Sequence, residues 1–312
     1  MRWISGKNCQ RTFLLALSLG ILISIGIMVI QDWEGFLAFP WQLKWANLGA
    51  VIITHFLALS TLFLGWHQIM RRLVRSEDWR RDFQIYSFSA LARRIPTPIW
   101  YIGGRLYLYK EYQISSAIIL SATGLETVLI TISGLICYLL FLPWYRYTYT
   151  NRWAWGIGSA SLVIWTGALL LRPNLLIDLS NWILRLLGRP HLAASVTRTD
   201  LLTWGTIYLS TWLLDGFSFY LMVAALVPKT PSIPDILGIS TISALIAIAT
   251  LALPAGLWLK ELTMSALLSM WLPISAGVII SICYRLAHTF VEILWALLGY
   301  WVGRAPRNEQ RK

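Results

Sequence analysis

The chain has 312 residues, 57% of them hydrophobic and 13% charged, with a mean hydropathy of +0.62. That balance excludes an ordinary soluble globular protein and points to an all-α polytopic integral membrane protein. A net charge of +12 would indicate nucleic acid in a soluble chain, but the placement of the charge, taken up below, makes lipid surfaces the expected contacts and nucleic acid not expected.

Crossing a hydrocarbon core of ~30 Å needs about 20 apolar helical residues. Runs of that kind lie at Thr12–Ile30, Trp45–Met70, Ile114–Leu142, Trp153–Leu171, Leu201–Val227 and Ile274–Val302. The first follows a basic start but is long and lacks a small-x-small cleavage pattern, so it is expected to be a retained signal-anchor. Gln31–Lys44 is a loop carrying Asp32, Glu34, Pro40 and Trp41. After the basic stretch Arg71–Arg81, the segment Phe83–Tyr109 is apolar but divided at mid-length by Arg93, Arg94, Pro96, Pro98, Gly103 and Gly104. Such a broken segment is tolerable at membrane depth only where protein or a wet cavity covers its backbone. A re-entrant hairpin is expected there.

Ile114–Leu142 is longer than one crossing requires and is expected to tilt. Tyr145, Tyr147, Tyr149, Trp153 and Trp155 form an aromatic interface band. Asn174–Gly188 carries Leu175, Leu176, Leu179, Trp182, Ile183, Leu186 and Leu187 on one stripe, opposite Asn174, Asp178, Asn181 and Arg185. It reads as a helix lying in the membrane interface. Asp235–Pro273 is a second broken apolar segment, divided at Pro254–Glu261. No soluble domain is expected.

Twenty of the 26 Lys and Arg residues fall in alternate connections, from Arg2, Lys7 and Arg11 through Arg71–Arg81 to Arg304, Arg307, Arg311 and Lys312. The opposite connections hold only Lys44, Arg146, Arg152 and Lys229. The positive-inside rule therefore places both termini in the cytoplasm of a cell (inner) membrane protein. Six full spans and two re-entrant segments then form one membrane domain, 1–312. It divides into a first inverted half, 1–144, a second, 145–303, and a basic tail, 304–312.

The two breaks resemble each other. Arg93-Arg94-Ile95-Pro96-Thr97-Pro98-Ile99-Trp100, followed by Gly103-Gly104-Arg105, is matched 158 residues later by Leu253-Pro254-Ala255-Gly256-Leu257-Trp258, followed by Lys260-Glu261. Matching interruptions in two inverted halves mark a transporter-type binding site. Intramembrane charges add to it: Glu126, Asp215, Lys260, Glu261, Arg285 and Glu292 must pair, reach an interface or face water. The candidate path is Arg93, Arg94, Pro96, Trp100, Gly104, Arg105, Glu126, Pro254, Gly256, Trp258, Lys260, Glu261 and Arg285. Arg93, Arg94 and Arg105 make the first break electropositive and suited to a phosphate, while Lys260-Glu261 makes the second mixed. Glu126 and Arg285, offset by 159, are expected either to pair across the repeat axis or to face opposite ends of a substrate. Trp100 and Trp258 are expected to pack the hairpin tips. Asp215 and Glu292 are expected to be structural, and His55 and His288 to be hydrogen-bonded helix residues. No nucleotide-binding, hydrolase, kinase, redox or metal motif is visible, and three cysteines form no framework. No cofactor is expected.

Arg93–Arg105 followed by Glu126 resembles the "R-x-I-P-G-x-I-W … G-R … E" signature of the lysylphosphatidylglycerol synthase transmembrane-region family. Leu253–Glu261 resembles its second signature, "P-G-G-L-G-x-R-E", and Arg285 falls where that family has an intramembrane arginine. This chain departs from the pattern at Thr97-Pro98, at Ala255 and at Lys260. The resemblance covers most of the chain and implies a flippase-like protein moving a charged-headgroup lipid between leaflets. The soluble aminoacyl-transferase domain of the synthase itself has no counterpart here. Two other readings stand beside it. One is a polytopic glycosyltransferase using a lipid-linked sugar through Asp32 and Glu34. The other is a non-catalytic membrane partner of a glycosyltransferase or synthase.

Overall fold

A computed structural model describes residues 30–74, 78–92, 98–141, 171–186, 194–250 and 256–304, with residues 23, 26, 27, 166, 167 and 188 besides. Among the described residues the chain is helical throughout. The helices are α1 Trp33–Ala38, α2 Trp45–Val74, α3 Trp79–Ala92, α4 Pro98–Lys110, α5 Ser116–Leu140, α6 Leu175–Leu186, α7 Arg198–Leu226, α8 Ile233–Ala249, α9 Gly256–Leu268 and α10 Ile274–Arg304. Four of them, α2, α5, α7 and α10, are long and apolar enough to cross a membrane. They match four of the six expected spans. Thr12–Ile30 and Trp153–Leu171 lie almost wholly outside the described residues, as does the aromatic band 145–155.

Each broken segment forms two short helices that pack on each other, α3 with α4 and α8 with α9. At 13 to 17 residues apiece they reach about 20–25 Å, short of a full crossing. Their starts follow local chemistry. Pro98 opens α4, where its missing N–H removes no helical bond. The Ser232 side chain accepts from the Asp235 N–H to cap α8. Thr197 and Asp200 close a capping box at the start of α7.

Contacts between the helix ends show how the hairpins are oriented. Arg72 at the end of α2 lies 3.2 Å from Asp200 at the start of α7, and donates to the Ser195 carbonyl at 2.7 Å. At the other end of the same pair, the Gln42 and Lys44 N–H groups donate to the Leu226 and Ala225 carbonyls. The first hairpin begins just after the end of α2 and the second just after the end of α7, so they enter the bundle from opposite ends. The end holding the first hairpin's base carries Arg71, Arg72, Arg80, Arg81, Lys110, Arg198 and Arg304.

The halves are interlocked. Helix α10 packs on α3 of the first hairpin and α5 packs on α8 of the second, while α2 and α7 form the central pair. Close approach depends on absent side chains. A Cβ on Gly299 of α10 would lie 2.6 Å from the Ser87 Cβ of α3, and one on Gly65 of α2 would lie 2.6 Å from the Tyr208 ring. Helix α6 turns Leu176, Ile177 and Leu184 inward, while Leu179, Trp182 and Leu186 are exposed. Of the expected stripe, Leu179, Trp182 and Leu186 thus face outward together and Leu176 is buried, while Ile177 and Leu184, outside that stripe, hold the helix to the protein.

Candidate functional site

The second helix of each hairpin presents a charged side chain to the span that follows it. In the first half, Arg105 of α4 forms an ion pair with Glu126 of α5, and both are essentially inaccessible. The pair is enclosed by polar and aromatic neighbours. Tyr101 donates to Glu126 Oε2 at 2.8 Å and Tyr86 to Oε1 at 3.3 Å. Arg105 Nε donates to Ser89 Oγ at 3.2 Å, and the guanidinium lies 3.7 Å from the Trp66 ring centroid and 4.3 Å from that of Tyr101. Burying two charges in hydrocarbon costs several kcal/mol per ion, and this ring of donors and π-faces offsets that cost. The network continues through Trp66 Nε1, which donates to Tyr109 Oη at 2.9 Å, and Tyr109, which donates to Asp82 at 3.1 Å. His67 Nδ1 lies 2.8 Å from the same carboxylate, and Arg81 also donates to it.

In the second half the arrangement recurs with its signs exchanged. Glu261 is now on the hairpin helix α9, and Arg285 is on the span α10, with Arg285 Nη1 donating to Glu261 Oε1 at 2.9 Å. An aromatic face again covers the guanidinium, 4.2 Å from the Trp258 centroid. Glu126 and Arg285, the residues at an offset of 159, therefore each bind the hairpin of their own half rather than each other. The second pair is less enclosed: the Arg285 side chain is 15% exposed, against 0% for Arg105.

The family model for the lysylphosphatidylglycerol synthase TM region matches residues 17–296. The chain belongs to that family. The match covers nearly the whole chain, including both hairpins and both ion pairs. No curated protein and no solved structure matches the chain.

A third cluster, which the sequence did not bring together, lies within this family region. His55 of α2 and His288 of α10 stack with ring centroids 3.3 Å apart. The Nδ1 atom of each lies 3.8 Å from Asp215 Oδ1 of α7. His55 Nε2 lies 4.0 Å from Glu292 Oε1, and Lys260 Nζ lies 3.6 Å from Asp215 Oδ2. Ser240 donates to Asp215 Oδ2 at 3.3 Å, and the Tyr284 hydroxyl donates to the Asp215 carbonyl at 2.8 Å. Lys260 thus links this cluster to the neighbouring Glu261. Asp215 and Glu292, expected to be structural, stand beside the candidate path. The one available signal was that the few intramembrane histidines and acids must find partners somewhere; which partners was not encoded locally.

The remaining expected residues are placed as follows. Arg93, Arg94, Pro96 and Pro254 lie outside the described residues, and Gly256 opens α9. A Cβ added at Gly104 would meet nothing within 4 Å, so its surroundings are open. Trp100 is exposed rather than packed against a hairpin tip. Asp32 holds the start of α10: its carboxylate accepts from the Ser275 hydroxyl at 2.7 Å and the Ser275 N–H at 3.2 Å. Those bonds hold its carboxyl below the ordinary range for aspartate.

Proposed function

We propose that the protein is a flippase-like lipid translocase, moving a charged-headgroup lipid between leaflets. The lipid class is a phospholipid, an aminoacyl-phospholipid or a polyprenyl-phosphate-linked molecule. The observation that carries this reading is the pair of sign-exchanged ion pairs, Arg105–Glu126 and Glu261–Arg285, each joining the second helix of a hairpin to the span that follows it within the centre of this proposed path. Two hairpins entering from opposite ends give each leaflet its own approach to that centre. In the present conformation the first pair is closed and the second, with Lys260 beside it, is the more accessible. Lys260 and Arg285 would meet the phosphate, and Glu261 any amine on the headgroup. The N-termini of α4 and α9 add positive dipole ends near the same depth. An apolar recess of about 200 Å³ between α5 and α7, lined by Leu129, Ile132, Ile136, Leu201 and Leu209, suits a hydrocarbon tail. The excess of basic residues at the first hairpin's base supports a cytoplasmic location for that end and for both termini.

The enzymatic alternative placed its acids at Asp32 and Glu34. The bonds that tie Asp32 to Ser275 give it a structural role that needs no substrate. For the partner reading, deletion would impair a neighbouring synthase or glycosyltransferase while neutralising the charges would not.

The test is leaflet exchange of fluorescent phosphatidylglycerol in proteoliposomes, comparing wild type with Arg285→Ala and Glu261→Gln. Translocation by wild type and a fall of about tenfold in either variant, at unchanged protein insertion, is expected. The proposal fails if wild type moves neither this lipid nor an aminoacylated or polyprenyl-phosphate probe, or if both variants match wild type.

A further inference from the structure

A polar group beside the first ion pair lacks a partner. The Tyr208 hydroxyl of α7 is fully buried and makes no hydrogen bond. An unmet donor in the core costs stability. The α2–α7 interface satisfies hydroxyls elsewhere along its length. Thr211, one turn on from Tyr208, bonds Thr61 across it at 2.8 Å, and Ser218 donates to the Val51 carbonyl at 3.3 Å.

The surroundings of the hydroxyl point to its use. The phenol end rests on Gly65 of α2, where an added Cβ would lie 2.6 Å from Cζ and 2.8 Å from the hydroxyl. The next residue is Trp66, with the Arg105 guanidinium 3.7 Å from its ring centroid. Tyr208 shares a buried cluster with Trp66, Tyr86 and Leu125, the last being the chain neighbour of Glu126 in α5. The charged groups that act on its hydroxyl are Glu126 and Arg105, alongside the Tyr86 and Tyr101 phenols. A spare donor therefore stands beside the closed ion pair without taking part in it.

We propose that Tyr208 is a positioning residue of the first ion pair: its hydroxyl takes up the Glu126 carboxylate when Arg105 turns to a lipid phosphate. The gating role rests on the translocase reading; the hydroxyl's reach to Glu126 does not.

In the closed state Glu126 accepts from Arg105, Tyr101 and Tyr86. A phosphate entering the first half competes for the same guanidinium, whose forked donors match phosphate as well as carboxylate. Release of Arg105 takes the cation away from a fully buried carboxylate, and that loss opposes opening. A further phenol O–H turned to the carboxylate offsets part of it, because hydrogen bonds to an ionised acceptor are about twice as strong as neutral ones. The hydroxyl is idle in the closed state and bonded in the open one, so it shifts the balance between them.

A double-mutant cycle on full-length protein in lipid nanodiscs tests the reach to Glu126. Tyr208→Phe removes the hydroxyl and keeps the ring. In wild type the melting temperature is expected to hold or rise, since an unmet donor is lost. In Arg105→Met, where Glu126 has lost its guanidinium, the same substitution is expected to lower it by about 3–12 °C. Arg105→Gln, which keeps a neutral donor, is the milder background. Equal falls with and without Arg105 overturn the proposal, since the hydroxyl would then already be bonded, to a trapped water or otherwise. So does the absence of a fall in the Arg105 variants, which would leave the hydroxyl out of reach of Glu126. In vesicles of phosphatidylcholine and phosphatidylglycerol, exchange of fluorescent phosphatidylglycerol is expected to drop about tenfold in Tyr208→Phe, although that variant melts no lower than wild type. Unchanged exchange refutes the gating role. If wild type moves none of the three lipid probes, the translocase reading fails, and the melting cycle still decides whether the hydroxyl reaches Glu126.

Discussion

Glu126→Ala exposes the energetics of the first ion pair most directly. The substitution removes the acceptor for Tyr101, Tyr86 and Arg105, and leaves the Arg105 guanidinium at 0% exposure with Ser89 and the faces of Trp66 and Tyr101. Breaking a buried pair by removing one partner costs about 3–5 kcal/mol, because the other charge remains uncompensated. At roughly 2–4 °C per kcal/mol for chains of a few hundred residues, the melting temperature should fall by about 6–20 °C. Replacing both partners by apolar residues, Arg105→Met with Glu126→Leu, should recover most of the loss, since no buried charge then remains. Cys137 lies fully buried in the same helix as Glu126, so with Cys9 and Cys283 replaced by serine a thiol-reactive dye reads opening of α5 during a thermal ramp. A Glu126→Ala protein melting within about 2 °C of wild type would refute the reasoning. So would a double variant as damaged as the single one.

Two further outcomes follow from packing and from titration. Gly299→Leu should separate α10 from α3, because even a Cβ there sits 2.6 Å from the Ser87 side chain; the expected loss is about 1–3 kcal/mol from overpacking, read by the same melt. Asp32, whose carboxyl is lowered by its bonds to Ser275, contributes stability that is full above the unfolded aspartate pKa of about 3.9. That contribution disappears as pH falls through the lower folded-state value. Ser275→Ala should therefore narrow the fall in melting temperature between about pH 5 and pH 2; an identical acid profile would show that the bond is not formed.

Much of the architecture was legible along the chain. Run length and hydropathy located α2, α5, α7 and α10 to within a few residues, because a lipid-facing helix must satisfy its own backbone and present apolar side chains. Proline located both breaks for an equally local reason, whereas Gly103 and Gly104, expected in the first break, lie inside α4. The partner of Glu126 was not legible in the same way. Arg285 was the obvious candidate by repeat offset, yet Arg105, one hairpin helix away, takes the place. The stripe on α6 that carries Leu179, Trp182 and Leu186 was legible as a period, but the inward contacts made beside it by Ile177 and Leu184 were not.

By itself, then, the sequence determined that this is a multi-pass helical membrane protein with two matched interruptions, since span length, helix breaking and charge bias act over a few residues at a time. Tertiary structure decided which charges meet. His55, Asp215 and His288 stand on three helices far apart in the chain, and only the docking of α2, α7 and α10 brings them within 4.8 Å of one another. The packing of α2, α3 and α5 around α4 encloses Arg105, while Arg285 on α10 is left partly open. The cost of an unpaired charge in hydrocarbon requires that each such group find a partner, but the rotation and depth at which helices pack select the partner, and no local pattern carries that information.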